Sequence, residues 1–154
     1  MKHCFLFYKN LTIWGISHMI VVYTRFTKDL VGILQDSKFE VKFYDKSDGT
    51  KPAKDFILEL PSKMQAKMLR IIDMLETNGS ELREPYSKHL IDGIFEVRTQ
   101  IGSDISRVLY FFIIGRKAIL THGFIKKTQK TPPSEIERAK KYRAEYLDRE
   151  EHQQ

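Results

Sequence analysis

Three apolar segments separated by two short turns occupy residues 94–124, IFEVRTQIGSDISRVLYFFIIGRKAILTHGF. The first segment, Ile94–Gln100, alternates apolar and polar residues, which is the period of a strand with one buried face. Turn sequences with glycine follow at residues 102–104 and 115–117. The segments after these turns are apolar enough for buried strands. Three successive strands with such short connections predict an antiparallel meander.

Two helical patterns precede the meander. Residues 52–60 have a short apolar stripe that ends at Pro61. Residues 62–78 place apolar side chains at helical spacing, at Met64, Met68, Ile71, Ile72 and Leu75. Only one proline separates the two patterns, so they predict a helical hairpin.

The remaining segments complete a predicted order of β-α-α-β-β-β-α. A strand is predicted at Phe39–Asp45, and residues 80–93 are predicted to be a polar connection. A last helix is predicted after Thr131, with a frayed polar tail from Arg149. This order predicts an α+β fold: a small twisted antiparallel sheet with an N-terminal helical hairpin and a C-terminal helix.

The positive charge of the chain is concentrated in one segment. The formal net charge is +6, from 26 basic and 20 acidic residues. Seven of the basic residues and one acidic residue lie between Arg98 and Lys130, so the other 19 basic and 19 acidic residues cancel. A field concentrated in about one fifth of the chain favours a polyanionic partner.

Composition excludes several classes of protein. The single cysteine, Cys4, excludes an internal disulfide and a cysteine-based zinc cluster. No carboxylates have the spacing of a two-metal site, so neither a metal nor another cofactor is predicted. No stretch approaches the roughly 20 apolar residues of a membrane helix. A cytoplasmic protein without membrane contact is therefore expected.

Residues 1–38 are predicted to be an N-terminal extension of unknown role. Two interpretations stay open: Met19 is the translation start, or Met19–Tyr23 adds a short strand. A signal peptide is not expected, because charged residues interrupt the apolar run and no small-residue cleavage site follows.

The segment His122–Pro132, HGFIKKTQKTP, carries groups that contact single-stranded nucleic acid. Its lysines suit phosphates, and the ring of Phe124 suits an unstacked base. By strand alternation, His122 and Phe124 are expected on the same face as Ala118 and Leu120.

Several motifs together resemble the RelE/ParE superfamily of bacterial toxins, in particular its phage-derived HigB-like branch. The matching segments, in chain order, are Phe39–Tyr44, Tyr86–Leu90, Asp92–Arg98, Arg107–Tyr110, His122–Pro132 and Glu135–Ala139. The resemblance covers roughly residues 39–148 and implies a RelE-like toxin domain there. It leaves residues 1–38 as the extension and residues 149–154 as a polar tail.

The resemblance implies the toxin of a type II toxin–antitoxin pair, a ribosome-dependent mRNA endoribonuclease. The implied partners are mRNA on the ribosome and a helix-turn-helix antitoxin (HigA-like). Two alternatives stay open: a ParE-like toxin that binds DNA gyrase without catalysis, and a basic module that binds RNA or antitoxin only. Fold alone does not separate them.

Cleavage without a metal needs fixed cations around the phosphate that is attacked by the 2′-hydroxyl. The predicted catalytic residues are Arg98, Arg107, Lys126 and His122. The predicted RNA-binding residues are Phe124, Lys127, Lys88 and Lys130. Structural roles stay open beside these: Arg98 as a partner of Glu96, Arg107 as a solvated charge and Phe124 as a core residue. His122 is alternatively a hydrogen-bonded structural residue that supports Phe124 or the last helix. Whether Lys126 or Lys127 acts at the phosphate also stays open.

Overall fold

The computed structural model describes residues 39–114, 116–126 and 130–152. This part of the chain contains five strands, three α-helices and a short 3₁₀ helix at Gly79–Glu81. The bounds are β1 (Glu40–Phe43), α1 (Pro52–Glu59), α2 (Ser62–Asn78), β2 (Ser87–Ile91), β3 (Ile94–Ile101), β4 (Asp104–Ile113), β5 (Lys117–Ile125) and α3 (Pro133–His152). The predicted α+β class is confirmed. The extension at residues 1–38, with both interpretations of Met19, lies outside the described residues.

The strands form one sheet in the order β1-β5-β4-β3-β2. The meander of β3, β4 and β5 is antiparallel, as predicted. The edge strand β1 runs parallel to β5, with Glu40 opposite Lys117. The sheet is therefore mixed rather than wholly antiparallel. Between β1 and β5 the chain forms two helices and three strands. A connection of this length can bring the chain back to the sheet either parallel or antiparallel to β1.

Strand β2 was not predicted, because residues 80–93 have mostly polar side chains. It is an edge strand that pairs with β3. The turn between them is Asp92-Gly93, and both residues have positive φ, 50° and 72°. An Asp-Gly pair with positive φ at both positions is the favoured two-residue hairpin turn. The sequence signal for this hairpin was present in that dipeptide.

The two faces of the sheet are covered differently. Helices α1 and α2 pack on one face, here called the hairpin face, where Val97, Val108, Tyr110 and Leu120 join the helical core residues. Helix α3 packs on the opposite face, here called the α3 face. The apolar core on this face combines Ile94, Leu109, Phe111 and Ile119 of the strands with Ala139 and Tyr146 of α3.

A β-bulge in β5 changes which side chains share a face. The register passes from Leu109 opposite His122 to Tyr110 opposite Leu120, so Thr121 is an extra residue. The Thr121 hydroxyl donates to the backbone oxygen of Leu109 at 2.9 Å. The expectation that His122 and Phe124 share a face with Ala118 and Leu120 is wrong. The bulge turns His122 and Phe124 to the α3 face.

Helix α3 is held to the rest of the fold near its middle and near its C-terminal end. Near its middle, the Lys140 ammonium lies 2.7 Å from the Asp92 carboxylate in the β2–β3 turn. Near its end, Arg149 donates to the backbone oxygen of Asp45 at 2.6 Å, and its guanidinium lies 5.2 Å from the Tyr44 ring centroid. Residues 149–152 thus belong to the helix, and the frayed tail predicted from Arg149 is wrong for them. No helix of the described ranges has the length and apolar character needed to cross a membrane.

Candidate nucleic-acid site

The strand register brings three predicted site residues into one row on the α3 face. Arg98 of β3 lies opposite Arg107 of β4, and Arg107 lies opposite Phe124 of β5. Directly opposed residues in antiparallel strands project from the same face. Helix α3 covers this face further along the strands, at Leu109 and Phe111. The two arginines therefore lie on the part of the face beyond those α3 contacts.

Both guanidinium groups contact one buried carboxylate. Glu96 Oε1 accepts a hydrogen bond from Arg98 Nε at 2.7 Å and another from Arg107. Glu96 Oε2 accepts from the Thr131 hydroxyl at 2.5 Å. The Glu96 side chain is fully buried, and its partners fill both oxygens. This carboxylate fixes the distance and the direction of the two guanidinium groups.

Lys126 lies near these arginines. Its side chain is half-buried, and the backbone N–H donates to Ile105 O at 2.8 Å, which continues the β4–β5 pairing. Burial lowers the pKa of Lys126, and the positive charges of Arg107, Arg98 and Lys88 lower it further. Four cations thus share one region, and we call Lys88, Arg98, Arg107 and Lys126 the basic cluster.

An exposed carboxylate lies at the outer side of the basic cluster. Glu84 Oε2 accepts from Arg98 at 3.2 Å, and the Lys88 ammonium lies 3.5 Å from the other Glu84 oxygen. With Glu96 and Glu84 as the contacting carboxylates, the four cations retain two net positive charges. Glu84 is more than half exposed, at 59%, so it can leave Arg98 more easily than the buried Glu96 can.

Arg107 keeps an unused donor. The residue is only 5% exposed, and burial lowers the pKa of its guanidinium. Its Nε is buried and has no hydrogen-bond partner among the residues that the structure describes. A buried donor without a partner costs about 1–3 kcal/mol, so this group is more readily explained by a role in the site than by stability.

His122 lies in a different environment from the other predicted catalytic residues. It is 3% exposed, and its Nε2 lies 2.9 Å from Glu135 Oε2 in the first turn of α3. A carboxylate only accepts, so Nε2 carries the hydrogen. Burial lowers the pKa of His122, and the Glu135 contact raises it by a smaller amount. This geometry connects β5 to α3 and does not present the imidazole to a substrate.

The remaining predicted RNA-binding residues differ in position. Phe124 is half-buried and packs against the α3-face core, with its ring centroid 6.5 Å from that of His122. Lys88 and Lys130 are exposed. Lys127 lies outside the described residues. Among the described side chains, no three His, Cys, Asp or Glu residues are grouped so that they could hold a metal ion.

Sequence reasoning missed several residues that shape the site. The interpretation of Glu96 as a partner of Arg98 is confirmed by their 2.7 Å contact, whereas the contact of Glu96 with Arg107 depends on the strand register. Thr131 and Glu135 come from the segment after β5, and no local pattern places their side chains near the sheet. Only tertiary contacts place them there.

These features define a small α+β protein with a cationic cluster beside the helix-covered part of one sheet face. The profile of the phage-derived Gp49-like protein family (DUF891) matches residues 55–144, more than half of the chain. The chain belongs to this family, which is known as a RelE/HigB-like toxin group. No curated protein matches the chain.

Proposed function

We propose that this protein is the toxin of a type II toxin–antitoxin system, of the HigB-like branch, and that it cleaves mRNA on the ribosome. The observation that carries the proposal is the shared position of Arg98, Arg107 and Lys126. The register pairs the two arginines, and their charges act on the Lys126 ammonium. Three cations of this kind around one point form a site for a phosphate.

The proposed reaction is a transphosphorylation. The 2′-hydroxyl of one nucleotide attacks the adjacent phosphorus, and the bond from phosphorus to the 5′-oxygen of the next nucleotide breaks. The products are a 2′,3′-cyclic phosphate and a 5′-hydroxyl end. One proton leaves the 2′-oxygen and one joins the 5′-oxygen, so the reaction needs no redox partner. The phosphorane that forms in between carries extra negative charge, which fixed cations stabilise.

The arginines serve the phosphorane in this proposal. Arg98 has an exposed outer side and reaches the phosphate when Glu84 is displaced. Arg107 contributes its guanidinium from the buried part of the site. Its Nε, which has no partner among the described residues, is a donor. Glu96 acts as a positioning residue, because it contacts both guanidinium groups but lies fully buried.

Lys126 serves the proton transfer in this proposal. Its pKa is lowered by burial and by the neighbouring cations, so its neutral amine is more populated than that of an ordinary lysine. A neutral amine accepts the proton of the 2′-hydroxyl. His122 becomes a positioning residue that ties β5 to α3, rather than a catalytic residue that touches RNA.

Contacts with RNA and partners complete the proposal. Phe124 stacks on a base with its exposed part, and Lys88, Lys127 and Lys130 contact backbone phosphates. An antitoxin of the helix-turn-helix type (HigA-like) inhibits the toxin by covering the basic cluster. A nuclease that acts on translating ribosomes works in the cytoplasm.

The test is an in-vitro translation reaction with purified protein, in which the ends of the mRNA are mapped. We expect cut mRNA with 5′-hydroxyl ends in the presence of ribosomes. Arg98→Ala and Arg107→Ala should each reduce the rate by about 10²–10³-fold, the usual loss on removal of one such donor. Arg70→Ala is the matched control, since Arg70 is an exposed arginine on α2.

Each outcome of this test has a defined meaning. Circular dichroism of every variant shows whether it folds. If Arg107→Ala does not fold, Arg98→Ala alone provides the test. Intact mRNA together with gyrase-dependent DNA breaks would replace the proposal with a ParE-like function. Intact mRNA and intact DNA, with RNA still bound, would leave a binding module without catalysis.

A further inference from the structure

A hollow of about 320 Å³, lined by both polar and apolar residues, lies beside the basic cluster, at the edge of the sheet. We call it the edge hollow. Arg98 and Arg107 form one side of it, and Lys67, Tyr86 and Gln100 are among its other lining residues. The proposed chemistry uses the two arginines only through their phosphate contacts.

The edge hollow exists because β2 is shorter than β3. Strand β2 begins at Ser87, opposite Val97, and the last contact along this edge is Arg98 N–H donating to Tyr86 O at 2.9 Å. N–H groups two residues apart in a strand point to the same edge, so Gln100 N–H points into the space that β2 leaves open. Gln100 O points there as well, because it accepts from the Lys67 ammonium at 2.7 Å.

The edge hollow combines a ring with hydrogen-bonding groups. Tyr86 is 39% exposed, so part of its ring is open to a ligand. The ammonium of Lys67 and the backbone of Gln100 are polar groups of the kind that contact the edge of a base. Arg107, whose buried Nε has no hydrogen-bond partner in the described ranges, is also a lining residue. A free phosphate uses the cations but has no need of the ring.

We propose that the edge hollow binds one ribonucleotide next to the scissile phosphate, with its base stacked on Tyr86 and the base edge facing Lys67 and Gln100. The inference rests on the proposed function, because it takes the phosphate of that nucleotide to be the one held by Arg98 and Arg107. It adds specificity-determining residues outside the basic cluster, namely Lys67 on α2, Tyr86 just before β2 and Gln100 on β3. Aromatic stacking of this kind accepts any base, whereas Lys67 and Gln100 distinguish among bases by their hydrogen bonds.

The test is a titration of the unmodified full-length chain with ligands that have no bond the proposed reaction could break. The probes are the four nucleoside 3′-monophosphates and inorganic phosphate. At least one nucleotide should bind about tenfold more tightly than inorganic phosphate, the gain expected from one stacked base. Tyr86→Ala should remove this advantage, and Tyr86→Phe should retain it because the ring remains.

A matched pair of lysines on α2 tests the base edge. Lys67→Ala should change the order of affinity among the four nucleotides. Lys63→Ala removes the same charge one turn earlier, where the side chain lines a different, apolar hollow, and should leave the order unchanged. If Tyr86→Ala does not fold, mapped cleavage ends from the Lys67→Ala chain provide the second measurement. They should show an altered base preference beside the cut, and an unaltered preference would overturn the proposal.

The titration and the cleavage assay fail independently. If the protein cuts mRNA but no nucleotide binds more tightly than inorganic phosphate, the edge hollow is not a nucleotide site and the nuclease proposal stands. If nucleotides bind with the predicted dependence on Tyr86 but mRNA stays intact, the nucleotide site stands and the nuclease proposal falls. An unchanged advantage in Tyr86→Ala would overturn the stacking role.

Discussion

The hairpin face and the α3 face of the sheet differ in what they bury. On the hairpin face, two helices cover a mainly apolar core in which Met68 and Leu75 are fully buried. On the α3 face, one helix covers part of the strands, and charged residues lie on the part of the face beyond the α3 contacts. Among the described residues, the buried charged side chains Glu96 and Arg107 and the buried His122 all lie on the α3 face.

This difference indicates a division of roles between the faces. Apolar burial contributes most of the stability of a small domain, whereas a buried charged pair contributes little net stability. The residues on the α3 face are therefore better explained by function than by folding. Substitutions on the two faces should therefore have separable effects on stability and on activity.

The largest effect on stability is expected on the hairpin face. Leu75→Ala removes a fully buried side chain between α2 and the sheet and should lower the free energy of unfolding by about 2–5 kcal/mol. Leu69→Ala on the same helix is the control, because Leu69 is 46% exposed and should change it by less than about 0.5 kcal/mol. Urea denaturation measures both. The proposed cleavage rate per folded molecule should stay the same in both variants, and a large loss would contradict the separation.

The next effect concerns the carboxylate between the arginines. Glu96→Gln keeps the volume but removes the charge and one acceptor, so it should cost about 1–3 kcal/mol of stability. The cleavage rate should fall by a larger factor than stability alone explains, because the guanidinium groups lose their common partner. Glu84→Gln removes an exposed carboxylate from the same Arg98 and should tighten binding of inorganic phosphate. If Glu96→Gln and Glu84→Gln change the cleavage rate equally, burial of Glu96 has no positioning role.

The pH dependence of cleavage tests the role of Lys126. Its pKa is below the ordinary value of 10.5, first because of burial and then because of Arg107, Arg98 and Lys88. An amine that accepts a proton acts in its neutral form, so the rate should rise with pH up to this lowered pKa and then level off. Lys126→Arg stays charged across this range and should lose the rise. A rate that falls with pH in the unmodified chain would instead assign Lys126 as a proton donor.

The smallest effect is expected at the outer side of the basic cluster. Lys88→Ala should weaken RNA binding by a similar factor for all sequences. The slope of log affinity against log salt concentration should become shallower by about 0.7, because one phosphate contact is lost. Lys63→Ala, on the opposite side of the sheet, should leave the slope unchanged. A sequence-dependent loss in Lys88→Ala would point to a base contact at this position.

Much of the fold could be predicted from local patterns. The meander, the two helices before it and the last helix each follow from apolar periodicity and turn residues. The bulge at Thr121 could not be predicted, because a threonine in an apolar strand continues the pattern equally well with or without an extra residue. Strand β2 depends on pairing with β3 more than on its own side chains, so its polar sequence hid it.

The site could be predicted in its cations but not in its geometry. The charge map and the family resemblance predicted Arg98, Arg107 and Lys126, and the structure places them together. The buried contacts of Glu96 depend on which residues oppose each other across three strands. The position of His122 depends on the bulge, which turns it to the α3 face and toward Glu135. The edge hollow depends on where β2 ends, which no local pattern indicates.

The most direct test of the account is a structure of the protein bound to an RNA whose attacking 2′-hydroxyl is methylated. The account predicts one phosphate within hydrogen-bond distance of Arg98, Arg107 and the Lys126 ammonium, with Glu84 displaced and Glu96 still in contact with both arginines. RNA bound elsewhere on the surface, with Glu84 still on Arg98 and no phosphate at the three cations, would contradict it.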